Sequence, residues 1–513
     1  MNQSPAQLWA PPTPQEERPN PESAAGETSC TDAAVTVPLV VDLDGTLTPT
    51  DTLVESVIHV IKHHPALLLR MPFWLIQGRA RFKQLIASQA GTHFNAATLP
   101  YNESLLTYLR AEKARGRPLV LATAADSSIA QSVANHLGLF DKVIASDGTD
   151  NLKGKQKKER IQETIGPVFS YAGDDAADLA VWEAASAAVL VGVSPSVARA
   201  LPGHCRVERT FSSPKAGPRG WVRALRMHQW IKNILLFVPL LTAFSLFDLD
   251  RLATMLMAFV AFSLVASATY IVNDLLDLDS DRAHPRKRTR PFASAQISIL
   301  TGVAVSGVML VGGLVVAGLV SQPLLLTLLL YLVITSSYTW VLKRYVLIDV
   351  VVLSVLYTLR ILAGSIAAGV QISSWLAAFS LFIFLSLALV KRCSELVSLS
   401  KENGTLIKGR DYHVSDLPIL WPMGVGSALS AIVVFGMFIN AEETRDRYGS
   451  PALLWLAAVV MIYWIARLWI KTGRGEMHDD PIVYSLSDAN SLICITVMVV
   501  ITVFAQFVYL GFP

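Results

Sequence analysis

Tyr270-Ile271-Val272-Asn273-Asp274-Leu275-Leu276-Asp277-Leu278-Asp279-Ser280-Asp281-Arg282 ends a long apolar run with a string of acids. At helical spacing Asn273, Asp277 and Asp281 are four apart and Asp274 lies three before Asp277, so the four share a face. Acids packed at the end of a membrane helix are costly unless a cation compensates. Magnesium suits an all-oxygen donor set and usually comes with substrate phosphates. Asn273, Asp274, Asp277 and Asp281 are therefore candidate metal ligands, with Asp274 and Asp277 closest to the chemistry. A basic run, His284-Pro285-Arg286-Lys287-Arg288-Thr289-Arg290-Pro291, follows directly. Positive charge at a membrane edge is explained by topology alone; the spaced acids are not.

Around this turn the chain reads as a membrane protein. Of 513 residues, 52% are hydrophobic and only 16% charged. Nine apolar spans are long enough to cross a bilayer: about 231–247, 252–272, 297–320, 323–342, 346–370, 374–390, 417–440, 451–470 and 489–510. The loops 273–296, 343–345, 391–416 and 471–488 hold most of this half's Lys and Arg. The opposite loops near 248–250, 321–322 and 371–372 hold none. The positive-inside rule then predicts a multi-pass inner-membrane protein with its N-terminus and the acidic turn in the cytoplasm. Nine spans put the C-terminus outside. The N-terminus has no basic stretch followed by a short apolar core, so no signal peptide is expected. A net charge of +3 gives no case for nucleic-acid binding, and four scattered cysteines support neither a disulfide framework nor a zinc site.

Ahead of the spans the character differs. Residues 1–35, rich in Pro, Glu, Ser and Ala, are expected to be disordered. Residues 36–200 alternate short apolar runs with helical patterns, as an α/β domain does. A linker, 201–219, follows, and the helical membrane domain covers 220–513. Four elements in the α/β part carry chemistry. Asp42-Leu43-Asp44-Gly45-Thr46 ends an apolar strand with two carboxylates, and Thr123 ends a second strand with a hydroxyl. Lys157 lies in Gly154-Lys155-Gln156-Lys157, and Gly173-Asp174-Asp175-Ala176-Ala177-Asp178 ends another strand with acids four apart. Such groups at the carboxyl edge of a parallel sheet suit phosphoryl transfer: an attacking carboxylate, a second that moves the proton, cations for the transferred oxygens, and acids for magnesium.

Taken in order, the four elements resemble the haloacid dehalogenase superfamily, mostly phosphatases with a parallel sheet and a helical cap. The resemblance makes Asp42 the nucleophile and Asp44 the general acid/base, and gives Thr123 and Lys157 to phosphate. It assigns magnesium to Asp42, Asp44 (through its backbone carbonyl) and Asp174, supported by Asp178. The cap falls at about 52–97. Its Leu67–Phe82 stretch mixes apolar and basic residues; packing inside the cap is the expectation, and docking at the bilayer the alternative.

The pattern N-D-x-x-D-x-x-x-D-R-x-H-P-x-K-R-x-R-P-x-A-S over residues 273–294 resembles the UbiA superfamily of intramembrane prenyltransferases. Members bind a polyprenyl phosphate or diphosphate in a membrane cavity with magnesium at its cytoplasmic mouth. The second acidic motif of aromatic prenyltransferases is missing: after span six come Lys391-Arg392-Cys393-Ser394-Glu395, and Asp411 and Asp416 are five apart. Other signatures resemble the branch that moves 5-phosphoribosyl from phosphoribosyl pyrophosphate (PRPP) to decaprenyl phosphate. These are Arg226-Met227-His228-Gln229-Trp230-Ile231-Lys232-Asn233, Asp349 with Arg360 and Gly364, Lys391-Arg392-x-x-Glu395, and Asp479-Asp480-Pro481. A donor bearing a phosphate and a diphosphate calls for several cationic clamps; Arg226, Lys232, Arg286, Lys287, Arg290 and Lys391 are the candidates. Arg360, deep in an apolar span, is expected to face the cavity. The expectation is a magnesium-dependent transfer from PRPP to polyprenyl phosphate, with the fused domain removing the 5-phosphate. Prenyl transfer from a prenyl diphosphate is the alternative, and a non-catalytic lipid-binding or transport protein a third reading.

Overall fold

In the computed structural model, residues 37–509 are described except 92–93, 148–149, 151, 214, 246, 372, 403, 408 and 478–479. The tail over 1–35 and Asp479 thus lie outside the described residues. Six strands form one parallel sheet: β1 Leu39–Val41, β2 Leu119–Asp126, β3 Lys142–Ser146, β4 Ser170–Gly173, β5 Ala187–Val191 and β6 Arg206–Phe211, in the order β3-β2-β1-β4-β5-β6. The central strands are continuous apolar runs because both faces are covered. The order reverses between β1 and β4, and the crevice at their carboxyl ends is where such sheets bind ligands.

β6 corrects the expected boundary, since it lies inside the segment read as linker. As an edge strand it exposes most of its side chains, so Arg206-Val207-Glu208-Arg209-Thr210-Phe211 lacks the apolar signature of the interior strands. Buried Arg117 fixes it, bonding both carboxylate oxygens of Glu208 at 2.9 and 3.0 Å and reaching Glu112 at 2.9 Å.

Between β1 and β2 lies the cap, whose main helices are α1 (Thr52–His63) and α2 (Arg79–Ala90). Asp51 caps α1 by accepting from Leu53 N and Val54 N. Leu67, Met71, Trp74 and Phe82 pack into the cap core with Val60 and Ile86 as expected, while Leu68, Leu69, Phe73, Leu75 and Ile76 of the same stretch are exposed. After β3, α3 (Lys155–Ile165) carries the third motif.

Among the described residues eight helices are long and apolar enough to cross a membrane: α4 (Leu249–Leu276), α5 (Ile299–Val320), α6 (Gln322–Trp340), α7 (Ile348–Ala368), α8 (Ser374–Lys401), α9 (Leu417–Asn440), α10 (Leu454–Arg474) and α11 (Ala489–Phe507). The protein is a multi-pass membrane protein. The first of the nine expected spans is instead a 3-10 helix, Met227–Phe237, running into a short α-helix, Val238–Thr242. Pro239 withholds a donor from a continuous α-helix there. At 2.0 and 1.5 Å per residue the two pieces reach roughly 30 Å, still a bilayer core. Arg226 at the start of this segment pairs with Asp274 near the end of α4, so the chain goes across and back. Gly364 of α7 makes room for the segment: a Cβ there would lie 1.9 Å from the Leu236 carbonyl oxygen.

The two domains are joined through the acidic turn. Arg282 bonds both carboxylate oxygens of Glu55 on α1, at 2.6 and 3.2 Å, in a buried pair. Asp279 takes His59 at 3.4 Å, Lys62 at 3.8 Å and the Thr98 hydroxyl at 3.3 Å. Val54 and Ile58 pack against Ile271, Leu275, Phe292 and Ile297. The α/β domain and the acidic turn therefore lie on one side of the helical bundle.

Candidate functional sites

The first site lies at the carboxyl ends of β1 and β4. Asp42 follows β1; its Oδ1 accepts from Leu43 N at 2.8 Å, which leaves Oδ2 facing Lys157 Nζ at 2.7 Å. Lys157 also donates to Tyr171 Oη at 3.1 Å and lies 3.8 Å from Asp178. Helical phase turns Lys157 inward, while its neighbour Lys158 reaches Glu183. Asp178 accepts from Asp174 N and Asp175 N, and so shapes the loop after β4. Asp174 is held by the Thr46 hydroxyl at 3.0 Å. Gly45, at φ +80°, allows that approach: a Cβ there would be 2.0 Å from Asp174 Oδ2. Thr123 is fully buried, its hydroxyl accepting from Ala125 N, beside a cavity lined by Ala124 and Ala125.

Oxygen atoms of Asp42, Asp174 and Asp178 lie within 4.8 Å of one another, the one such three-acid group among the described residues. Three hard carboxylates with a backbone shaped to present them fit a magnesium ion. Asp44 stands in the same cavity of about 360 Å³, its Oδ1 accepting from Thr52 N at 2.8 Å. Burial, reinforced by Asp51, pushes the Asp44 carboxyl up to about 7. Burial, with Asp178 and Asp42 beside it, pushes Asp174 up to about 8. Burial works against a charged Lys157, but Asp42 and Asp178 hold it protonated above the ordinary lysine range.

The second site is the acidic turn, and its geometry differs from the single helical face expected. α4 ends at Leu276 and Asp277 leaves helical geometry before the short helix Leu278–Ala283. The acids consequently sort into two pairs. Buried Asp274 and Asp281 converge on Arg290 at 3.1 and 2.6 Å, with Arg226 also on Asp274 and Lys287 4.0 Å from Asp281. Half-buried Asp277 accepts from Asn273 Nδ2 at 3.1 Å. The side-chain oxygens of Asp274, Asp277 and Asp281 do not gather within 4.8 Å of one another as those of Asp42, Asp174 and Asp178 do; what the turn presents is carboxylates held beside guanidinium groups, which suit phosphate oxygens. Arg226 also lies 5.1 Å over the Tyr270 ring. Arg286 is exposed in the following loop.

A second polar group faces the bundle interior. Asp480 binds Lys232 at 2.7 Å and Lys391 at 3.3 Å, with the Tyr357 hydroxyl at 3.5 Å. Burial opposes ionisation of Asp480, yet the two lysines hold its carboxyl well below the usual range. Arg360 is placed differently from expectation. Its three nitrogens bond Asn233 Oδ1, the Leu356 carbonyl and the Tyr331 hydroxyl, between the Tyr331 and Tyr357 rings. With each of its three nitrogens bonded to protein, it braces the first span through Asn233. Asp349 and Arg392 form a fully buried pair at 2.6 Å, extended by Tyr412 and Glu395. The role of Asp279 in holding the cap was missed in the sequence, where it is one more acid off the shared face.

A phosphohydrolase-type carboxylate site and a membrane bundle with acids at its mouth define a membrane transferase carrying a phosphatase-like domain. The sequence profile of the UbiA prenyltransferase family matches residues 234–492, and that of haloacid dehalogenase-like hydrolases matches 39–183. The chain belongs to the UbiA prenyltransferase family. It is 41% identical over 458 residues to the uncharacterized protein y4nM of Sinorhizobium fredii, covering 89% of this chain and 88% of that one. Nodulation protein NoeC of Azorhizobium caulinodans is 36% identical over 278 residues, 54% of this chain and 89% of that one. Decaprenyl-phosphate phosphoribosyltransferase of Mycolicibacterium smegmatis is 31% identical over 274 residues, 50% of this chain and 84% of that one.

Proposed function

We propose that the membrane domain transfers 5-phosphoribosyl from PRPP to a polyprenyl phosphate at the cytoplasmic face of the inner membrane. The α/β domain then removes the 5-phosphate. The observation that carries the first step is the surplus of cations at the acidic mouth: Arg226, Lys287 and Arg290 stand on Asp274 and Asp281. A diphosphate that also bears a sugar phosphate calls for more positive charge than one metal ion supplies. A relative named decaprenyl-phosphate phosphoribosyltransferase, matched over half of this chain, supports the same donor and acceptor.

In this reading Asp274, Asp277 and Asp281 hold magnesium, which neutralises the diphosphate when bound. Arg226 and Arg290 grip the phosphate oxygens and stabilise charge on the leaving group. A phosphate oxygen of the lipid attacks the anomeric carbon, the bond from that carbon to the diphosphate breaks, and pyrophosphate leaves. Lys232 and Lys391, anchored on Asp480, receive the remaining anion. At the second site Asp42 attacks the phosphorus of the 5-phosphate while Asp44 gives its proton to the departing sugar oxygen. A carboxyl poised near 7 suits that exchange. Asp44 then takes a proton from the water that hydrolyses the aspartyl phosphate.

Offering the purified protein PRPP or a prenyl diphosphate, with polyprenyl phosphate present, tests the donor. Pyrophosphate release from PRPP alone is expected. Release only from the prenyl diphosphate would establish prenyl transfer instead.

Metal binding at the phosphatase-like site carries a pH signature. Below about pH 8 the Asp174 carboxyl is protonated without metal, so magnesium must displace that proton. Apparent affinity for magnesium is expected to rise roughly ten- to a hundredfold from pH 6 to pH 8 and then level off. Competition titration with a magnesium indicator checks this. An affinity flat across that window would contradict metal binding among these acids.

A further inference from the structure

The phosphatase-like cavity is not closed by its own domain alone. Besides Asp42, Asp44 and Lys157, its wall includes Ser298, Ile299 and Leu300, the beginning of α5 in the membrane domain. Ser298 caps that helix by accepting from Thr301 N, so the wall is a fixed part of the fold. The cap is held against the same region by the Arg282–Glu55 pair and the contacts of Asp279.

Two features of this wall point to one kind of ligand. Ile299 is buried, whereas Leu300 is 62% exposed. Leu300 also begins a row of exposed apolar side chains, continued by Val303, Val308, Val311, Val315 and Leu319, that runs the length of α5 on one broad side. The recurrence at three to five residues keeps the row on the outer side of a membrane-crossing helix. Exposed apolar side chains thus line the outer side of α5 up to Leu300, which is also part of the wall of the cavity that holds Asp42. At its polar end the cavity also holds Lys83 and Lys153, charges suited to a second anion near the scissile phosphate. The exposed cap residues Leu69, Phe73 and Ile76, next to Arg70, fit a segment lying in the headgroup layer.

We propose that the phosphatase-like cavity takes its substrate from the bilayer: a lipid phosphomonoester whose chain lies along the Leu300–Leu319 face of α5 while its phosphate reaches Asp42. This rests on the α/β domain being a phosphatase. It adds that the membrane domain supplies part of that phosphatase's substrate site. Lipid specificity then follows from construction, because a water-soluble phosphomonoester uses only the inner end of the cavity.

The test uses the full chain in lipid nanodiscs with magnesium and dodecyl phosphate bearing a photoreactive diazirine at the far end of its chain. Irradiation is expected to label a peptide within 298–320, and excess inorganic phosphate or orthovanadate is expected to remove that label. Leu300→Glu, and separately Val303→Glu, place a charge on this row and are expected to lower the competable label about tenfold. Size-exclusion profiles report whether each variant is folded, and one folded variant suffices. Label on α5 that phosphate does not compete, competable label confined to other helices, or competable label unchanged in a folded variant would each overturn the lipid route. Labelling does not depend on turnover. Absence of phosphatase activity would show separately, as identical lipid products from wild type and Asp42→Asn.

Discussion

Asp42→Asn is expected to leave lipid-linked ribose carrying its 5-phosphate, while transfer from PRPP continues at close to the wild-type rate. The substitution removes the attacking oxygen but keeps the side chain's shape. Loss of a nucleophile of this kind costs at least about a thousandfold in turnover. Its structural effect is bounded by the partners of Lys157. That ammonium loses a carboxylate at 2.7 Å but keeps the Tyr171 hydroxyl at 3.1 Å and Asp178 at 3.8 Å. A buried cation stripped of every partner would endanger the domain; this one is not stripped. The α/β domain meets the bundle through Glu55, His59, Lys62 and Thr98, all on the cap side of the chain. Asp42 touches none of them, so the transferase half has no reason to fail with it. Mass spectrometry of lipids formed from PRPP and polyprenyl phosphate reads the outcome. If both proteins give the same lipid, the two sites do not act in sequence.

What the sequence made legible follows a physical division. Chemistry concentrated just after a buried strand is visible locally, which is why Asp42, Asp44 and Asp174 could be placed at one sheet edge from the sequence; Thr123, expected at a strand end, instead lies within β2. The acidic turn was visible for the same reason: four spaced oxygen donors at the end of an apolar helix have few innocent explanations. Interactions set by distant partners were not visible. Arg282 and Glu55 are 227 positions apart, and nothing near Asp279 distinguishes it from its neighbours in the motif. Helical phase could be extrapolated only as far as the helix lasts. It broke at Asp277, and the acids paired as Asp274 with Asp281 and Asn273 with Asp277. Arg360 shows the limit of a cost argument. The burial of a guanidinium in an apolar span was correctly read as requiring compensation, but an asparagine, a tyrosine and a carbonyl supply it. β6 escaped because an edge strand carries charge.

The pairing of the acids makes a sharper experiment possible than removal of the whole motif. Asp274→Ala takes away a buried carboxylate on which Arg226 and Arg290 both converge. Arg290 keeps Asp281 at 2.6 Å, and Arg226 keeps the Tyr270 ring. If Asp274 holds the ion that carries the diphosphate, transfer is expected to fall about a hundred- to a thousandfold, the cost of losing one preorganised stabiliser of leaving-group charge. Asp279→Ala, five residues on, removes an acid of the same stretch whose partners are His59, Lys62 and Thr98 of the cap. Its loss loosens the contact between domains but leaves Asp274, Asp281 and their arginines in place. Transfer is then expected to stay within about threefold of wild type, since partly exposed pairs of this kind contribute little individually. Pyrophosphate release under identical conditions compares the two variants. Dephosphorylation of a preformed lipid-linked phosphoribose should survive Asp274→Ala, because the cavity around Asp42 includes neither Asp274 nor its arginines. Near-equal transfer by both variants would make Asp274 an anchor for Arg226 and Arg290 rather than a metal ligand.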